Sequence, residues 1–84
     1  MDYCIQIQER AVKSLKKISE PNKTNIKNSI DQLGQFSHEM KNIKALQGIY
    51  KGLYRLRVGN YRVIFDVVDN SVVILDVFAR QAGY

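Results

Sequence analysis

The chain begins with an alternating hydrophobic pattern that gives way to a helical one. The segment "YCIQI" (3–7) alternates and contains residues that favour strands, so it predicts a short first strand. In the following "ERAVKSLKKIS", the apolar residues Ala11, Leu15 and Ile18 recur at helical spacing, and lysines occupy the opposite face. This pattern predicts an amphipathic helix directly after the strand.

A second helix is predicted after Pro21, because proline suits the first turn of a helix but rarely its interior. The apolar face of this helix carries Ile26, Ile30 and Leu33, and Gly34 marks its expected end. Since both helices are amphipathic and the connection between them is short, we expect them to form an antiparallel hairpin.

The second half of the chain predicts three strands. Residues 35–49 are mostly polar and irregular, so we interpret them as a loop. The strands then cover roughly residues 50–58, 61–68 and 71–80. Gly59-Asn60 makes the first turn, with glycine in the position that a type II′ turn requires, and "DNS" makes the second. The order β-α-α-β-β-β predicts one α+β domain over residues 1–84, with the helical hairpin packed on one face of a mainly antiparallel sheet.

The Gly59-Asn60 turn determines which residues of the first hairpin face each other. With a two-residue loop, Arg57 lies directly across from Arg62, and Arg55 lies on the same face. Like charges in this position destabilise an antiparallel pair. A solvated sheet face commonly carries charges, but it has no need of two opposed arginines. An anion bound between them would relieve the repulsion, so the pattern favours a functional face.

The first half of the last strand is apolar on both sides, and the length of the preceding loop decides which set of residues is buried. A three-residue Asp69-Asn70-Ser71 loop places one alternating set in the core: Val73, Leu75, Val77 and Ala79. It also places Arg80 on the face of Arg57 and Arg62, whereas a two-residue loop would place it on the other side. We prefer the three-residue loop because it keeps Asp76 out of the core.

Charge supports an anionic partner. The chain has 13 Lys and Arg against 8 Asp and Glu, a net charge of +5. Nucleic acid is the usual partner of a small basic domain, although solubility alone could explain the balance. The four basic residues after Lys51 are all arginines: Arg55, Arg57, Arg62 and Arg80. The planar guanidinium group suits bidentate phosphate binding better than lysine does.

Other chemistry is poorly represented in the sequence. His38 is the only histidine and has no cysteine near it, so we predict a solvated loop residue and no zinc site. The single cysteine, Cys4, cannot form an internal disulfide and is expected to be a small buried hydrophobic residue. We find no phosphate-binding loop or dinucleotide motif and expect no cofactor. The sequence shows no signal peptide or membrane-spanning run, so a cytoplasmic location is expected.

The segment "GIYKGLYRLRVGNYRVIFDV", followed by "VVILDVFARQAGY", resembles the RelE/ParE superfamily of bacterial toxin–antitoxin toxins. The resemblance covers essentially the whole chain and is most specific over residues 52–66. It implies a cytoplasmic toxin that is neutralised by an antitoxin encoded beside it. In this superfamily, RelE-like members cleave mRNA in the ribosomal A site without a metal, whereas ParE-like members inhibit DNA gyrase.

The resemblance favours the RelE-like branch. Five residues match the positions of the nuclease residues in that branch: Arg55, Arg57, Arg62, Arg80 and Tyr84. It therefore implies an mRNA endonuclease that works on the ribosome. A gyrase inhibitor, in which the same basic face binds protein, is one alternative. A non-catalytic binding toxin is another, because Ala79 and Gln81 stand where many relatives have further basic residues.

The matching residues differ in the chemistry that they can supply. Arginine stays protonated at any working pH, so the four arginines suit electrostatic stabilisation of the phosphate and not general-base catalysis. Tyr84 could stack on a base, orient the attacking 2′-hydroxyl group, or act as the base if the arginines lower its pKa. The general base and general acid stay open at this point.

Overall fold

Two helices lie on one face of a five-stranded sheet in this computed structural model, which describes residues 2–82. The helices are α1 (Glu9–Lys16) and α2 (Asn22–Gln32). The strands are β1 (Cys4–Ile7), β2 (Ile43–Ala45), β3 (Tyr54–Val58), β4 (Tyr61–Val68) and β5 (Ser71–Ala79). Their order in the sheet is β1-β5-β4-β3-β2, and only the β1–β5 pair is parallel. The predicted α+β class is confirmed.

The core lies between the helices and one face of the sheet. The apolar residues predicted for the helical segments are all buried: Ala11, Leu15, Ile18, Ile26, Ile30 and Leu33. From the sheet they meet Leu56, Val63, Phe65, Val72, Ile74 and Val77. The helical spacing of the apolar residues therefore identified the helix faces that pack on the sheet.

Two predictions about single residues have different outcomes. Cys4 is exposed, so the expectation of a buried hydrophobic residue was wrong. The reason is its place in the sheet: β1 is an edge strand, and Cys4 pairs with Ser71, whereas the next residue, Ile5, pairs with the buried Val72. His38 is exposed, as expected, and its ring packs against Phe36, with 5.2 Å between the centroids.

The interpretation of residues 35–49 as a loop was wrong at Ile43–Ala45. These three residues form β2, the edge strand next to β3, with Ile43 opposite Leu56 and Lys44 opposite Arg55. A strand this short offers too few residues for an alternating pattern to be recognised. It is held by backbone hydrogen bonds to β3, and these bonds do not require particular side chains.

The first hairpin has the predicted register. Arg57 pairs with Arg62 and Arg55 pairs with Ile64, as a two-residue turn requires. Gly59 has a φ of +57°, a conformation that costs glycine little. This turn aligns the apolar residues of β3 and β4 on the core side and leaves the arginines on the other side.

The predicted register of β5 was wrong in its first half. Val68 pairs with Ser71, so the turn has two residues, and Val72 and Ile74 lie in the core in place of Val73 and Leu75. A β-bulge then shifts the register, because Phe65 pairs with Ile74 while Ile64 pairs with Asp76.

The bulge inserts one extra residue, Leu75, and from there β5 follows the predicted alternation, with Val77 in the core. Asp76 is nevertheless buried, contrary to expectation. Its Oδ1 accepts a hydrogen bond from the Val77 N–H at 2.8 Å, and its Oδ2 lies 3.4 Å from Nε of Arg10 on α1. These contacts compensate for the burial of a carboxylate.

Candidate functional site

The sheet face opposite the helices carries a row of residues from three neighbouring strands. Arg62 on β4 lies between Arg57 on β3 and Phe78 on β5. In the next row, Ile64 lies between Arg55 and Asp76. We call this surface the arginine face.

A pocket of about 370 Å³ opens on the arginine face. It is lined by Leu46, Gln47, Tyr50, Arg55, Arg62, Ile64, Phe78 and Arg80. Three of these lining residues are arginines and none is acidic, so the part of the pocket that residues 2–82 form is positively charged. Its volume lies at the lower end of the range for small-ligand sites.

Arg62 is the most constrained of these arginines. The side chain is half-buried, and its Nη1 donates to the carbonyl oxygens of Gly59 at 3.0 Å and Tyr61 at 2.9 Å. Partial desolvation lowers the pKa of Arg62, and three neighbouring guanidinium groups lower it further: Arg55, Arg57 and Arg80. The charged form of Arg62 is therefore less favourable here than in the unfolded chain, and a bound anion would reverse that.

Arg57 faces Arg62 in register but does not line the pocket. Its side chain is exposed, and Nη2 lies 3.4 Å from Oδ1 of Asn42, next to β2. The two opposed arginines thus have different hydrogen-bond partners, Arg57 towards the sheet edge and Arg62 towards the hairpin turn.

Arg80 reaches the pocket through two features of β5. The bulge at Leu75 shifts the alternation by one residue, which places Phe78 beside Arg62 on the arginine face. Beyond the last strand pair, the Arg80 N–H donates to the carbonyl oxygen of Asn60 at 2.7 Å. This bond attaches the end of β5 to the β3–β4 turn and brings Arg80 close to Arg62.

The uncharged part of the pocket comes from the segment between β2 and β3, residues 46–53. The Leu46 N–H donates to the carbonyl oxygen of Leu53 at 2.9 Å, and the Leu53 N–H donates to that of Tyr50 at 3.1 Å. These bonds close the segment on itself and hold Leu46, Gln47 and Tyr50 against the pocket. The sequence analysis missed this contribution, because it treated residues 46–49 as a loop and wrongly placed residues 50–53 in a strand that begins only at Tyr54.

Not all of the predicted site residues meet in the pocket. Arg55, Arg62 and Arg80 do, whereas Arg57 lies beside it. Tyr84 lies outside the described residues, so its role stays a prediction. Within residues 2–82, no three metal-binding side chains come together. In the same range, no helix is long and apolar enough to cross a membrane.

This arrangement suits one phosphate group of a larger ligand. Guanidinium groups give charge-assisted and often bidentate hydrogen bonds to phosphate oxygens. They act as donors and stabilise negative charge, but they cannot accept a proton because they stay protonated. The pocket can therefore stabilise a phosphate that gains negative charge during a reaction.

This chain matches a known protein family and has the same fold as several solved structures. The family model described as ParE toxin of type II toxin-antitoxin system, parDE, matches residues 5–84. No curated protein matches the chain. Among solved structures, a chain of the archaeal RelE–RelB complex from Pyrococcus horikoshii is similar, with a TM-score of 0.78 and 29% identity over 99% of this chain and 100% of that chain.

Two further structures have lower sequence identity to this chain but share its fold. A chain of the toxin–antitoxin complex RelBE2 from Mycobacterium tuberculosis has a TM-score of 0.84 and 23% identity, over 95% of this chain and 93% of that one. The isolated RelE toxin from Escherichia coli has a TM-score of 0.74 and 22% identity, over 92% of this chain and 83% of that one.

Proposed function

This chain belongs to the ParE toxin family of type II toxin–antitoxin systems, and we propose that it acts as a ribosome-dependent mRNA endonuclease in the cytoplasm. The observation that carries the proposal is the pocket that combines Arg55, Arg62 and Arg80, with no carboxylate among its described lining residues. Such a pocket attracts the RNA backbone and suits a scissile phosphate.

The proposed reaction uses the RNA's own 2′-hydroxyl group and no metal. The 2′-oxygen loses its proton and attacks the adjacent phosphorus, and the bond from phosphorus to the 5′-oxygen breaks. The leaving 5′-oxygen takes up a proton, so the products are a 2′,3′-cyclic phosphate and a 5′-hydroxyl end. The negative charge that develops on the phosphate oxygens is stabilised by Arg55, Arg62 and Arg80. Preorganised donors of this kind often supply the largest catalytic contribution.

Arg57 and Tyr84 have less direct support in this proposal. Arg57 would contribute through its charge at the edge of the pocket and through contact with the RNA backbone. Tyr84 is assigned by the resemblance to RelE-like nucleases, as a stacking residue or as the group that orients or deprotonates the 2′-hydroxyl.

Primer extension on an mRNA that is being translated tests the proposal. We expect cuts at defined positions when the protein and ribosomes are both present, and none on the same mRNA without ribosomes. Absence of cuts on translated mRNA would contradict the nuclease function.

Inhibition of DNA gyrase is the second candidate function, because the matching family model is that of ParE toxins. A supercoiling assay on the same preparation separates the two functions. Inhibition of supercoiling without mRNA cuts would favour the gyrase target. If neither effect is seen and induction of the protein is harmless, a non-catalytic binding role is favoured.

We also propose that a cognate antitoxin binds a groove of about 220 Å³ lined by the two helices and the end of β1. The groove contains Ile7 and Val12, which are 41% and 36% exposed. Three lysines surround these apolar residues: Lys16, Lys23 and Lys27. An acidic amphipathic segment has complementary chemistry, with apolar residues for the groove and carboxylates for the lysines.

A charge placed in this groove should weaken the antitoxin complex. We expect Val12→Glu to lower the affinity for the product of the neighbouring open reading frame by about tenfold or more, because it buries a carboxylate among apolar contacts. The matched control is Val68→Glu, at an apolar residue that is 47% exposed and lies outside this groove. Titration of the co-expressed partner measures both variants, and equal affinities would exclude the groove as the antitoxin site.

A further inference from the structure

The pocket on the arginine face is lined by two kinds of residue, arginines that suit a phosphate and apolar side chains. Beside the three arginines lie two aromatic rings, Tyr50 and Phe78, together with Leu46 and Ile64. We infer that Tyr50 and Phe78 bind one nucleobase of the RNA next to the phosphate held by the arginines. This inference rests on the proposed function and adds to it the residues that bind the base.

The position of Phe78 supports this inference. Phe78 is half-buried and pairs directly with Arg62 across the β4–β5 ladder. Neighbouring strands lie about 4.8 Å apart, so Phe78 and Arg62 are adjacent on this face, and both line the pocket. A nucleotide with its phosphate on Arg62 can therefore place its base on Phe78. Single-stranded RNA is commonly bound in this way, with bases on aromatic rings beside a basic surface.

Tyr50 is held in place before any ligand binds. The hydrogen bonds that close residues 46–53 fix the backbone on either side of it, and the Lys51 N–H donates to the carbonyl oxygen of Gly48 at 3.1 Å. Gly48 and Gly52 have φ values of +69° and +100°, which let the segment turn sharply around Tyr50. Tyr50 is half-buried at the pocket, whereas the preceding residue, Ile49, is 91% exposed. A preorganised ring loses little entropy on binding.

Gln47 supplies the polar group that could distinguish one base from another. Its side chain is exposed and lines the same pocket, and its amide makes no hydrogen bond to any side chain or backbone group in the range 2–82. An amide offers both a donor and an acceptor, which matches the edge of a nucleobase. Gln47 is therefore the residue that we expect to set base preference.

NMR titration of the purified toxin with AMP and with ribose 5-phosphate tests the inference. The two probes share the sugar and phosphate and differ only in the base. Stacking on an aromatic ring makes AMP about tenfold tighter than ribose 5-phosphate in the unmodified protein. Tyr50→Leu removes most of that difference and leaves the affinity for ribose 5-phosphate unchanged. The matched control Ile49→Ala, one residue away and outside the pocket, changes neither affinity.

Three outcomes would overturn the inference: no preference for AMP, an unchanged preference in Tyr50→Leu, or an equal loss of affinity for both probes. The nuclease function is tested by a different experiment, the cleavage assay, so it can be refuted independently of the base site. A protein that leaves translated mRNA uncut but binds AMP through Tyr50 refutes the nuclease function and supports the base site. A protein that cuts mRNA but shows no dependence on Tyr50 refutes only the base site.

The same titration with AMP, GMP, CMP and UMP tests Gln47. The four affinities differ in the unmodified protein and become equal within about twofold in Gln47→Met, which keeps the stem and removes the amide. An unchanged ranking would overturn the role of Gln47 in base preference.

Discussion

Replacement of Arg62 by glutamine is expected to lower mRNA cleavage by about 10²–10³-fold, the usual cost of one lost transition-state donor. Arg62 is half-buried in the pocket, beside Arg55 and Arg80, and its pKa is lowered by partial desolvation and by its charged neighbours. A developing phosphate charge offsets that unfavourable environment. Glutamine retains a donor and much of the stem but loses the positive charge.

The same substitution should change the free energy of unfolding by less than about 1 kcal/mol, the scale of a cross-strand pair. Loss of the charge relieves repulsion from the neighbouring arginines, while loss of the guanidinium group removes its hydrogen bonds to Gly59 and Tyr61. Salt screens this repulsion. The free energy of unfolding of Arg62→Gln, relative to that of the unmodified protein, should therefore be highest at low salt. Thermal melts at two salt concentrations, run beside the primer-extension assay, measure both effects.

Two further variants separate a role in the pocket from a general loss of charge. Lys17→Gln removes one positive charge at the exposed end of α1 and should leave cleavage within about twofold. Arg57→Gln removes a charge next to the pocket and should reduce cleavage by less than about tenfold, because Arg57 bonds to Asn42 and does not line the pocket. A destabilised Arg62→Gln protein that still cuts mRNA would show that Arg62 serves the sheet and not the RNA.

The arginine pair could be predicted from sequence because two independent signals agree at that hairpin. Gly59-Asn60 specifies a two-residue turn, and the alternation of "LYRLRV" allows only one face to be buried. A shift by one residue would bury Arg55 and Arg57 in the core, so the register is strongly determined. All five observed pairs between β3 and β4 have the register that a two-residue turn at Gly59-Asn60 requires.

The register of β5 could not be obtained in the same way. Residues 72–75 are all apolar, so alternation gives no information about which side is buried. The bulge at Leu75 depends on the local geometry of the β4–β5 ladder, where Phe65 pairs with Ile74 but Ile64 pairs with Asp76. The prediction that Arg80 shares a face with Arg62 reached the observed position through the wrong turn, because the bulge supplies the extra residue that the loop was expected to supply.

The uncharged wall between β2 and β3 was missed for a different reason. Leu46, Gln47 and Tyr50 belong to a segment without hydrophobic periodicity, and their position depends on backbone hydrogen bonds between residues 46 and 53. Glycines 48 and 52 were the available signal, since closely spaced glycines indicate a tight turn. The sequence thus predicted the three arginines of the pocket and not the wall that Leu46, Gln47 and Tyr50 form.

Replacement of Phe65 by alanine should have the largest effect on folding. Phe65 is completely buried on β4, stacks on Tyr54 with 5.4 Å between ring centroids, and meets Phe36 edge to face at 5.8 Å. Loss of a buried phenylalanine costs about 3–5 kcal/mol, because apolar burial is lost and a cavity remains. Small domains are stable by only about 5–15 kcal/mol, so Phe65→Ala removes a large share of the total.

Thermal denaturation of the toxin without its antitoxin measures this effect, since a bound partner would raise the apparent stability. For a domain of this size, each kcal/mol lowers Tm by about 4–8 °C, so the midpoint should fall by more than about 10 °C. The matched control is Val68→Ala on the same strand, where the side chain is 47% exposed and the change should stay within about 0.5 kcal/mol. Similar midpoints for the two variants would show that the aromatic cluster around Phe65 does not stabilise the fold. A large difference would mean that the strand carrying Arg62 is held in position mainly from its buried face.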